Sequence, residues 1–234
     1  MCLLLHIETA TEVCSVCLAK DGKLIAWKEN NEGRMHAALL PVFIHELLNE
    51  NGISAADLDA IAVSKGPGSY TGLRIGVSTA KGLSYGSDKP LIAIPTLKSM
   101  CIGIVDKFSQ LNLNNEKLLL IPMIDARRME VYTAVYDTDL KIIRDTHALV
   151  VEPGSFDDLL QNNQLVFFGN GSEKIAGLIR HSNARFIPDF KTSAIHMTCL
   201  AYSQFINHDF VDVAYFEPYY LKDFITTTPK NKVI

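Results

Sequence analysis

Residues 63–86 read VSKGPGSYTGLRIGVSTAKGLSYG, a stretch in which an apolar run is followed by closely spaced glycines. An apolar run ends there in a Gly-Pro-Gly turn at residues 66–68, a combination that marks a sharp turn. Ser69 or Thr71 follows, and either side chain can cap the first turn of a helix. We therefore predict a strand, a glycine turn and a helix over residues 71–85.

This glycine turn has two physical uses, and the sequence leaves both open. Backbone N–H groups at a helix N-terminus attract anions, whereas the small residues Gly72, Gly76 and Ala80 share one helix face and let another backbone approach closely. The spacing matches neither the Walker A phosphate loop nor the Rossmann fingerprint. Packing is therefore the better supported use, and its partner is either this chain's own core or a second protein.

The composition is that of an ordinary globular chain. With 234 residues, 48% apolar and 21% charged, it needs no disulfide or metal staple to fold. A formal net charge of −4 disfavours a free-standing nucleic-acid binder, because phosphate contacts dominate such binding. Five cysteines, no secretory signal pattern and no apolar run of about eighteen residues predict a cytoplasmic protein with reduced thiols and no membrane span.

The first half predicts three strands followed by helices that alternate with strands. Alternating apolar residues indicate the strands, Asp21-Gly22 indicates a tight hairpin, and apolar pairs four residues apart indicate a helix over residues 35–48. The predicted spans are 3–7, 13–19 and 23–28 (strands), 35–48 (helix), 58–63 (strand), 71–85 (helix), 91–94 (strand) and 96–108 (helix). This order predicts a mixed sheet with helices on both faces.

The second half of the chain repeats features of the first. Residues 123–131 parallel residues 6–13, each a strand, an acidic residue, a polar turn and a second strand. Residues 165–171 parallel residues 61–68, each a strand that ends in Gly-x-Gly. We interpret this self-similarity as a decayed duplication. The predicted domains are a lobe at 1–108, a smaller lobe at 109–225 and a flexible tail at 226–234.

The sequence offers two candidate metal sites, and the spacing of the residues supports neither. Cys14 and Cys17 form a C-x-x-C motif, but an odd spacing on a strand sends the two thiols to opposite faces, so we predict that they are core residues. His36 has Leu40 four residues on and therefore lacks a second ligand at helical spacing. A capping or surface role for His36 is the alternative, and we predict no metal site.

Two facing copies of such a unit resemble the superfamily of actin, Hsp70 and hexokinase (ASKHA), in which a nucleotide lies between the copies. The fold class that this implies is α/β, a duplicated ribonuclease H-like fold with two lobes, each a mixed sheet flanked by helices. Within this superfamily the chain resembles the TsaB family, also called YeaZ, from the first strand almost to the tail. The resemblance rests on Ile7-Glu8-Thr9-Ala10, Arg34-Met35-His36, the GPGSYTGLRIG block at 66–76, Ile124-Asp125-Ala126-Arg127, Glu130-Val131-Tyr132 and Pro218-Tyr219-Tyr220-Leu221.

The resemblance implies a non-catalytic, dimerising subunit without a cofactor. It would bind and support TsaD in forming N6-threonylcarbamoyladenosine next to the anticodon of tRNAs that read codons beginning with A. The implied partners are TsaD in a heterodimer, TsaE and tRNA only through the complex, and a second copy when the chain is alone. A plain homodimer with no enzymatic partner is a further alternative.

The resemblance also implies that the two helices at 35–48 and 71–85 form the docking face. Part of the apolar stripe on the first helix would face outward, and Gly76 would be the most sensitive point on the second. The predicted interface residues are Met35, His36, Leu39, Leu40, Phe43, Leu47, Gly72, Leu73, Arg74, Gly76, Val77 and Ala80.

An enzyme is the alternative, either an ATP-dependent kinase or a metallopeptidase of the same superfamily. The active relative TsaD carries two metal-binding histidines at positions that fall on Thr96 and Met100 of this chain, and neither residue suits such a metal. Glu8 stands where the family resemblance leads us to expect Asp, and its longer side chain would crowd a bound phosphate. Asp125 is a candidate base, although an ion pair with Arg127 or Arg128 is the alternative. No catalytic residue is predicted.

Overall fold

The computed structural model describes residues 1–33, 35–111 and 117–222. Arg34 of the quoted motif and the predicted tail at 226–234 lie outside the described residues. In the part of the chain that is described, no helix is long and apolar enough to cross a membrane.

The first half folds into a five-stranded mixed sheet. Its strands are β1 (Leu3–Glu8), β2 (Cys14–Lys20), β3 (Lys23–Asn30), β4 (Ala60–Gly66) and β5 (Leu91–Pro95), and its helices are α1 (His36–Glu50), α2 (Tyr70–Ser87) and α3 (Thr96–Val105). The strand order is β3-β2-β1-β4-β5, with β2 antiparallel to β1 and β3, and β4 parallel to β1 and β5. The predicted order of elements is therefore confirmed.

The second half repeats this sheet strand for strand. After the short helix α4 (Phe108–Leu111) come β6 (Leu118–Asp125), β7 (Glu130–Tyr136), β8 (Ile142–Val150), α5 (Asp157–Leu160), β9 (Gln164–Phe168), β10 (Ala184–Ile187) and α6 (Thr198–Ile206). The sheet order β8-β7-β6-β9-β10 mirrors that of the first lobe. The predicted duplicated α/β fold with two lobes is thus confirmed. Between β9 and β10, where α2 would stand, the described chain has one 3-10 turn at Glu173–Ile175.

The two lobes exchange one helix each. Helix α3 follows the first sheet in sequence, yet its Leu97, Met100 and Ile104 pack into the core of the second sheet. Helix α6 follows the second sheet, yet its Ala201 packs with Met197 on the face of the first sheet opposite α1 and α2. The predicted division at 108/109 therefore separates the strands of the two sheets, whereas the packing of these helices crosses it.

Local sequence signals set the turns of the first sheet. Asp21 and Gly22 join β2 and β3 with positive φ values of 49° and 76°, as expected for a two-residue hairpin turn. Cys14 lies in the core beneath α1, whereas Cys17 lies in the core beneath α6. The prediction that these thiols point to opposite faces is confirmed, and both are free and buried.

Candidate docking site and inter-lobe cleft

The glycine turn before α2 packs against the β1–β2 loop. Ser69 caps the helix, since its Oγ accepts a hydrogen bond from the backbone N–H of Gly72 at 3.3 Å. The backbone N–H of Ser69 donates to the carbonyl of Ala10 at 2.6 Å. A Cβ on Gly68 would lie 2.3 Å from that same carbonyl oxygen. Because a protein carbonyl occupies the place an anion would need, packing is the use that the geometry supports.

The predicted small-residue stripe of α2 also faces inward. A Cβ on Gly72 would lie 2.1 Å from the carbonyl oxygen of Thr9, and one on Gly76 would lie 2.1 Å from Thr9 Oγ1. The Thr9 hydroxyl donates to the carbonyl of Gly72 at 2.8 Å, which ties the β1–β2 loop to the helix. Gly76, predicted to be the most sensitive point of the docking face, is therefore buried under this chain's own β1–β2 loop.

Most of the other predicted interface residues are also buried within this chain and are not accessible to a partner. Eight of them are buried in this chain: His36, Leu40, Leu47, Gly72, Leu73, Gly76, Val77 and Ala80. Leu40 and Leu47 face the first sheet because a helix on a sheet turns one apolar stripe into the core. His36 Nε2 lies 3.1 Å from the carbonyl oxygen of Val13, so this ring has a structural hydrogen-bond partner within the chain. Leu39 and Phe43 are half-buried, while Met35 and Arg74 are exposed.

A different set of residues forms the accessible surface of the helix pair. At the start of α1 and along it, Met35, Ala38 and Val42 follow helical spacing and are exposed, Met35 to 52% and Val42 to 45%. On α2, the exposed residues spaced four apart are Arg74, Ser78, Gly82 and Gly86. A Cβ on Gly82 or Gly86 would meet nothing within 4 Å. We call these seven residues the outer helix face.

Glu8, at the end of β1, is an internal group. Its Oε1 accepts hydrogen bonds from the backbone N–H of Ala10 at 2.6 Å and from Ser64 Oγ at 2.9 Å. Its Oε2 is buried and has no hydrogen-bond partner among the described residues. Burial raises the pKa of Glu8 to about 7, against the lowering effect of those hydrogen bonds. Glu8 thus holds the β1–β2 loop in place.

Asp125 is the counterpart of Glu8 in the second lobe, and its setting differs. Its Oδ1 accepts from the backbone N–H of Arg127 at 2.8 Å and pairs with the Lys174 ammonium. The alternative of a structural ion pair is correct for Asp125, but the cation is Lys174 where Arg127 or Arg128 was expected. Lys174 follows β9 and was not singled out in the sequence, because the contact joins residues far apart in the chain.

Direct contacts fill the cleft between the lobes. The hydroxyls of Thr11 and Thr192 lie 2.6 Å apart, and Asn170 Nδ2 donates to Glu12 Oε2 at 2.8 Å. The space left beside these residues is too small to hold a water molecule, whereas ligand pockets usually measure roughly 300–1,000 Å³.

Thr96 and Met100 stand at the positions where TsaD carries its metal-binding histidines, and both make internal packing contacts. Thr96 Oγ1 accepts a hydrogen bond from the backbone N–H of Gly66 at 3.1 Å. The Met100 methyl group packs beside Gly169, where an added Cβ would lie 2.5 Å from it. Within the described residues, no three His, Cys, Asp or Glu side chains are grouped so as to hold a metal ion.

A C-terminal segment at residues 211–222, here called the strap, crosses the first lobe. The backbone N–H of Val211 donates to the carbonyl of Leu91 at 3.0 Å. On α2, Lys81 Nζ donates to the carbonyls of Ala214 and Phe216 at 3.1 and 2.9 Å. Sequence reasoning missed the strap because it has no apolar period.

The last part of the strap reaches the N-terminal end of α2. The backbone N–H of Tyr219 donates to the carbonyl of Lys65 at 2.7 Å, and the Lys222 ammonium pairs with Glu130 of the second lobe. Between these two anchors, the Tyr220 ring packs on the Tyr70 ring with centroids 4.5 Å apart. The strap therefore links the start of α2 to the second lobe.

Comparisons with known proteins agree with this fold. A family model described as TsaD, tRNA N6-adenosine threonylcarbamoyltransferase, matches residues 30–216. The tRNA threonylcarbamoyladenosine biosynthesis protein TsaB of Escherichia coli K12 is 33% identical over 231 residues, which cover 94% of this chain and 94% of that protein. The TsaB protein of Bacillus subtilis is 34% identical over 133 residues, which cover 57% of this chain and 54% of the relative.

Solved structures show the same architecture. YeaZ from Pseudomonas aeruginosa superposes with a TM-score of 0.79 at 25% identity, over 94% of this chain and 100% of that one. An activator of 2-hydroxyisocaproyl-CoA dehydratase from Clostridium difficile, solved with ADPNP bound, has a TM-score of 0.50 at 12% identity, which is a likeness of fold alone. It covers 88% of this chain and 97% of the activator. Given a relative above 30% identity matched over almost its whole length, the chain belongs to the TsaB (YeaZ) family.

Proposed function

We propose that this protein acts in the biosynthesis of tRNA threonylcarbamoyladenosine as a non-catalytic subunit that binds and supports TsaD. The role in this pathway follows from membership of the TsaB family. The observation that supports the docking role is the outer helix face, which is exposed and, apart from Arg74, built from small or apolar residues. The pairing would serve formation of N6-threonylcarbamoyladenosine next to the anticodon of tRNAs that read codons beginning with A.

The outer helix face has the properties of a helix-docking surface. Gly82 and Gly86 leave open space above α2, so a partner helix can approach its backbone closely. Met35 and Val42 expose apolar side chains on α1, which packs against α2. An exposed apolar strip beside a small-residue groove supports association with another protein.

The residues that a catalytic role would use make structural contacts within the chain. Glu8 and Asp125 hold loop backbone by hydrogen bonds, and Thr96 and Met100 pack internally. These contacts favour the subunit over an ATP-dependent kinase or a metallopeptidase, since either enzyme needs groups that are free to meet a substrate.

Other partners follow from the same proposal. When TsaD is absent, the outer helix face pairs two copies of this chain. With a net charge of −4 the protein reaches tRNA only through the complex, which TsaE also joins. We place this assembly in the cytoplasm.

The test pairs a variant on the outer helix face with a matched control. Val42→Asp puts a charge on α1, whereas Val150→Asp makes the same change on β8 of the second lobe at a site that is 57% exposed. Affinity for the TsaD encoded in the same genome is measured by calorimetry, and the melting temperature is recorded for each protein. We expect Val42→Asp to weaken binding at least tenfold, about 1.4 kcal/mol. We expect Val150→Asp to leave the affinity unchanged.

A second measurement concerns activity. A TsaD reaction on tRNA should require the wild-type chain and should decline with Val42→Asp in proportion to the lost pairing. If wild-type protein and TsaD elute separately at micromolar concentrations and tRNA modification proceeds without this chain, the proposed function is wrong. If Val42→Asp and Val150→Asp behave alike, the outer helix face is not the docking site.

A further inference from the structure

Arg74 stands at the N-terminal end of the exposed stripe of α2. It precedes Ser78, Gly82 and Gly86 at intervals of four residues, so all four share one side of the helix. Its side chain is exposed, and its Cζ lies 4.2 Å from the centroid of the Tyr70 ring. Within this stripe, Arg74 is the one charged residue.

Two tyrosines hold the guanidinium of Arg74. Its Nη2 donates to the Tyr70 hydroxyl, and the Tyr220 side chain of the strap, whose ring packs on Tyr70, lies beside the guanidinium. The strap is fixed on both sides of Tyr220, by the bond from Tyr219 to Lys65 and by the ion pair of Lys222 with Glu130. Because these contacts restrict the side chain before any partner arrives, binding through it costs less conformational entropy.

The guanidinium of Arg74 is fixed in position but has no ion-pair partner among the described residues. Lys28 pairs with Glu46 and Glu50 at 3.1 and 2.7 Å, and Arg144 pairs with Asp158 at 2.6 Å. Among the described residues, no carboxylate reaches Arg74 at salt-bridge distance. Its hydrogen-bond partner is the neutral Tyr70 hydroxyl, and a guanidinium has more donors than this contact uses.

We infer that Arg74, positioned by Tyr70 and Tyr220, is an anchor for a carboxylate side chain on the helix of TsaD that lies along the outer helix face. The inference rests on the proposed pairing with TsaD. An Asp or Glu at one end of a helix seated on Ser78 and Gly82 would meet the planar fork in a bidentate pair. A protein carboxylate suits this place better than an RNA phosphate, since the neighbouring surface is small and apolar and the chain is acidic overall.

The experiment measures binding to TsaD as a function of salt for three proteins. Arg74→Gln removes the charge at the anchor, and Arg180→Gln removes an exposed arginine from the second lobe as the matched control. We expect Arg74→Gln to weaken binding tenfold or more at about 50 mM salt and much less at about 500 mM, where screening already reduces the wild-type pair. Arg180→Gln should follow the wild-type curve at every salt concentration.

Two further variants separate anchoring from folding. Tyr220→Phe keeps the ring but removes the hydroxyl, and it should weaken binding several-fold without a change in melting temperature. Arg74→Glu should bind worse than Arg74→Gln, and reversing the matching carboxylate of TsaD to lysine should restore binding to Arg74→Glu alone.

The outcomes are distinct. Wild-type binding that Arg74→Gln leaves unchanged at low salt overturns the inference while the proposed function stands. Loss of tRNA binding to the complex with unchanged TsaD affinity also overturns it and assigns Arg74 to a phosphate. Failure of the wild-type chain to bind TsaD at all rejects the proposed function itself.

Discussion

Thr9 and Gly76 meet at a tight contact between α2 and the β1–β2 loop. The Thr9 hydroxyl points at the helix backbone, and a Cβ on Gly76 would lie 2.1 Å from it. Real side-chain atoms do not approach so closely, so any substitution must either turn the Thr9 hydroxyl away, which loses its hydrogen bond to the Gly72 carbonyl, or move the β1–β2 loop or the helix. Loss of this glycine therefore acts on folding and not on partner binding.

We predict that Gly76→Ala lowers the free energy of unfolding by about 1–3 kcal/mol, the usual cost of overpacking. Gly82→Ala is the matched control on the same helix, where the added methyl meets nothing within 4 Å. That control should raise stability by roughly 0.5–1 kcal/mol, because alanine is the better helix former. Urea unfolding of both variants checks this, and equal stabilities would show that the Thr9 contact is not restrictive.

Glu8 makes stability depend on pH in an unusual direction for a carboxylate. Its pKa is about 7 in the folded protein and near 4.3 in an unfolded chain. Between these values the folded state keeps a proton that the unfolded state has released. The stabilisation that Glu8 contributes is therefore complete below about pH 4 and is lost as the pH rises through 7, by on the order of 3 kcal/mol.

We predict that Glu8→Gln removes this dependence. The difference in unfolding free energy between wild type and Glu8→Gln should fall as the pH rises from about 4.5 to 8. Taking the difference cancels the opposite effect of His6 and His196, whose pKa values burial lowers to about 4 and whose stabilisation is lost as the pH falls below about 6.5. An exposed control, Glu32→Gln, should give curves parallel to wild type, and parallel curves for Glu8→Gln would contradict the prediction.

Helix α2 carries two small-residue stripes with the same spacing of four. The stripe at Gly72, Gly76 and Ala80 packs on the β1–β2 loop and the first sheet, while the stripe at Ser78, Gly82 and Gly86 is exposed. The inner stripe stabilises the folded chain, whereas the outer stripe is accessible to a partner.

We predict that Gly82→Leu weakens pairing with TsaD at least tenfold without lowering the melting temperature. The new side chain occupies open space above α2, so the folded chain accepts it, but a partner helix can no longer approach the backbone. Gly177→Leu, at another open glycine in the second lobe, serves as control. Calorimetric affinity and thermal unfolding check both variants, and a Gly82→Leu protein that melts early with normal affinity would place this stripe in the fold.

The two stripes of α2 show which features of the fold can be predicted from the sequence and which cannot. Periodicity predicted α1 and α2 to within two residues at each end, because apolar spacing and the Ser69 cap are local signals. It could not tell which stripe of α2 faces inward, since glycine and serine carry no hydrophobic preference. The strap and the exchange of α3 and α6 could not be predicted either, because each depends on contacts between residues that are distant in the sequence.

At the scale of the whole molecule, the exchanged helices join the two lobes into one packing unit. Each sheet buries one face under a helix that the other half of the chain supplies. Polar contacts add to this, among them Ser15 Oγ, which accepts from the backbone N–H of Ala194 at 3.0 Å, and the Thr11–Thr192 pair. Neither lobe can therefore unfold without exposing part of the core of the other.

We predict that the protein unfolds in one cooperative transition. Trp27, the single tryptophan, lies on β3 of the first lobe, so its fluorescence reports that lobe alone. Ile121 is fully buried in the core of the second lobe, on the face away from α3. Ile121→Ala should cost about 2–5 kcal/mol and should shift the Trp27 transition in urea by as much as it shifts the far-UV circular dichroism.

The Trp27 and circular dichroism transitions of Ile121→Ala show whether a change in the core of the second sheet also destabilises the first. With independent lobes, Ile121→Ala would leave the Trp27 transition at its wild-type midpoint and would split the circular dichroism curve into two steps. The matched control is Ile61→Ala in the core of the first lobe, which should move both signals together in either case. Coincident shifts for both variants would establish that the exchanged helices make the lobes a single folding unit, and so a rigid support for the outer helix face.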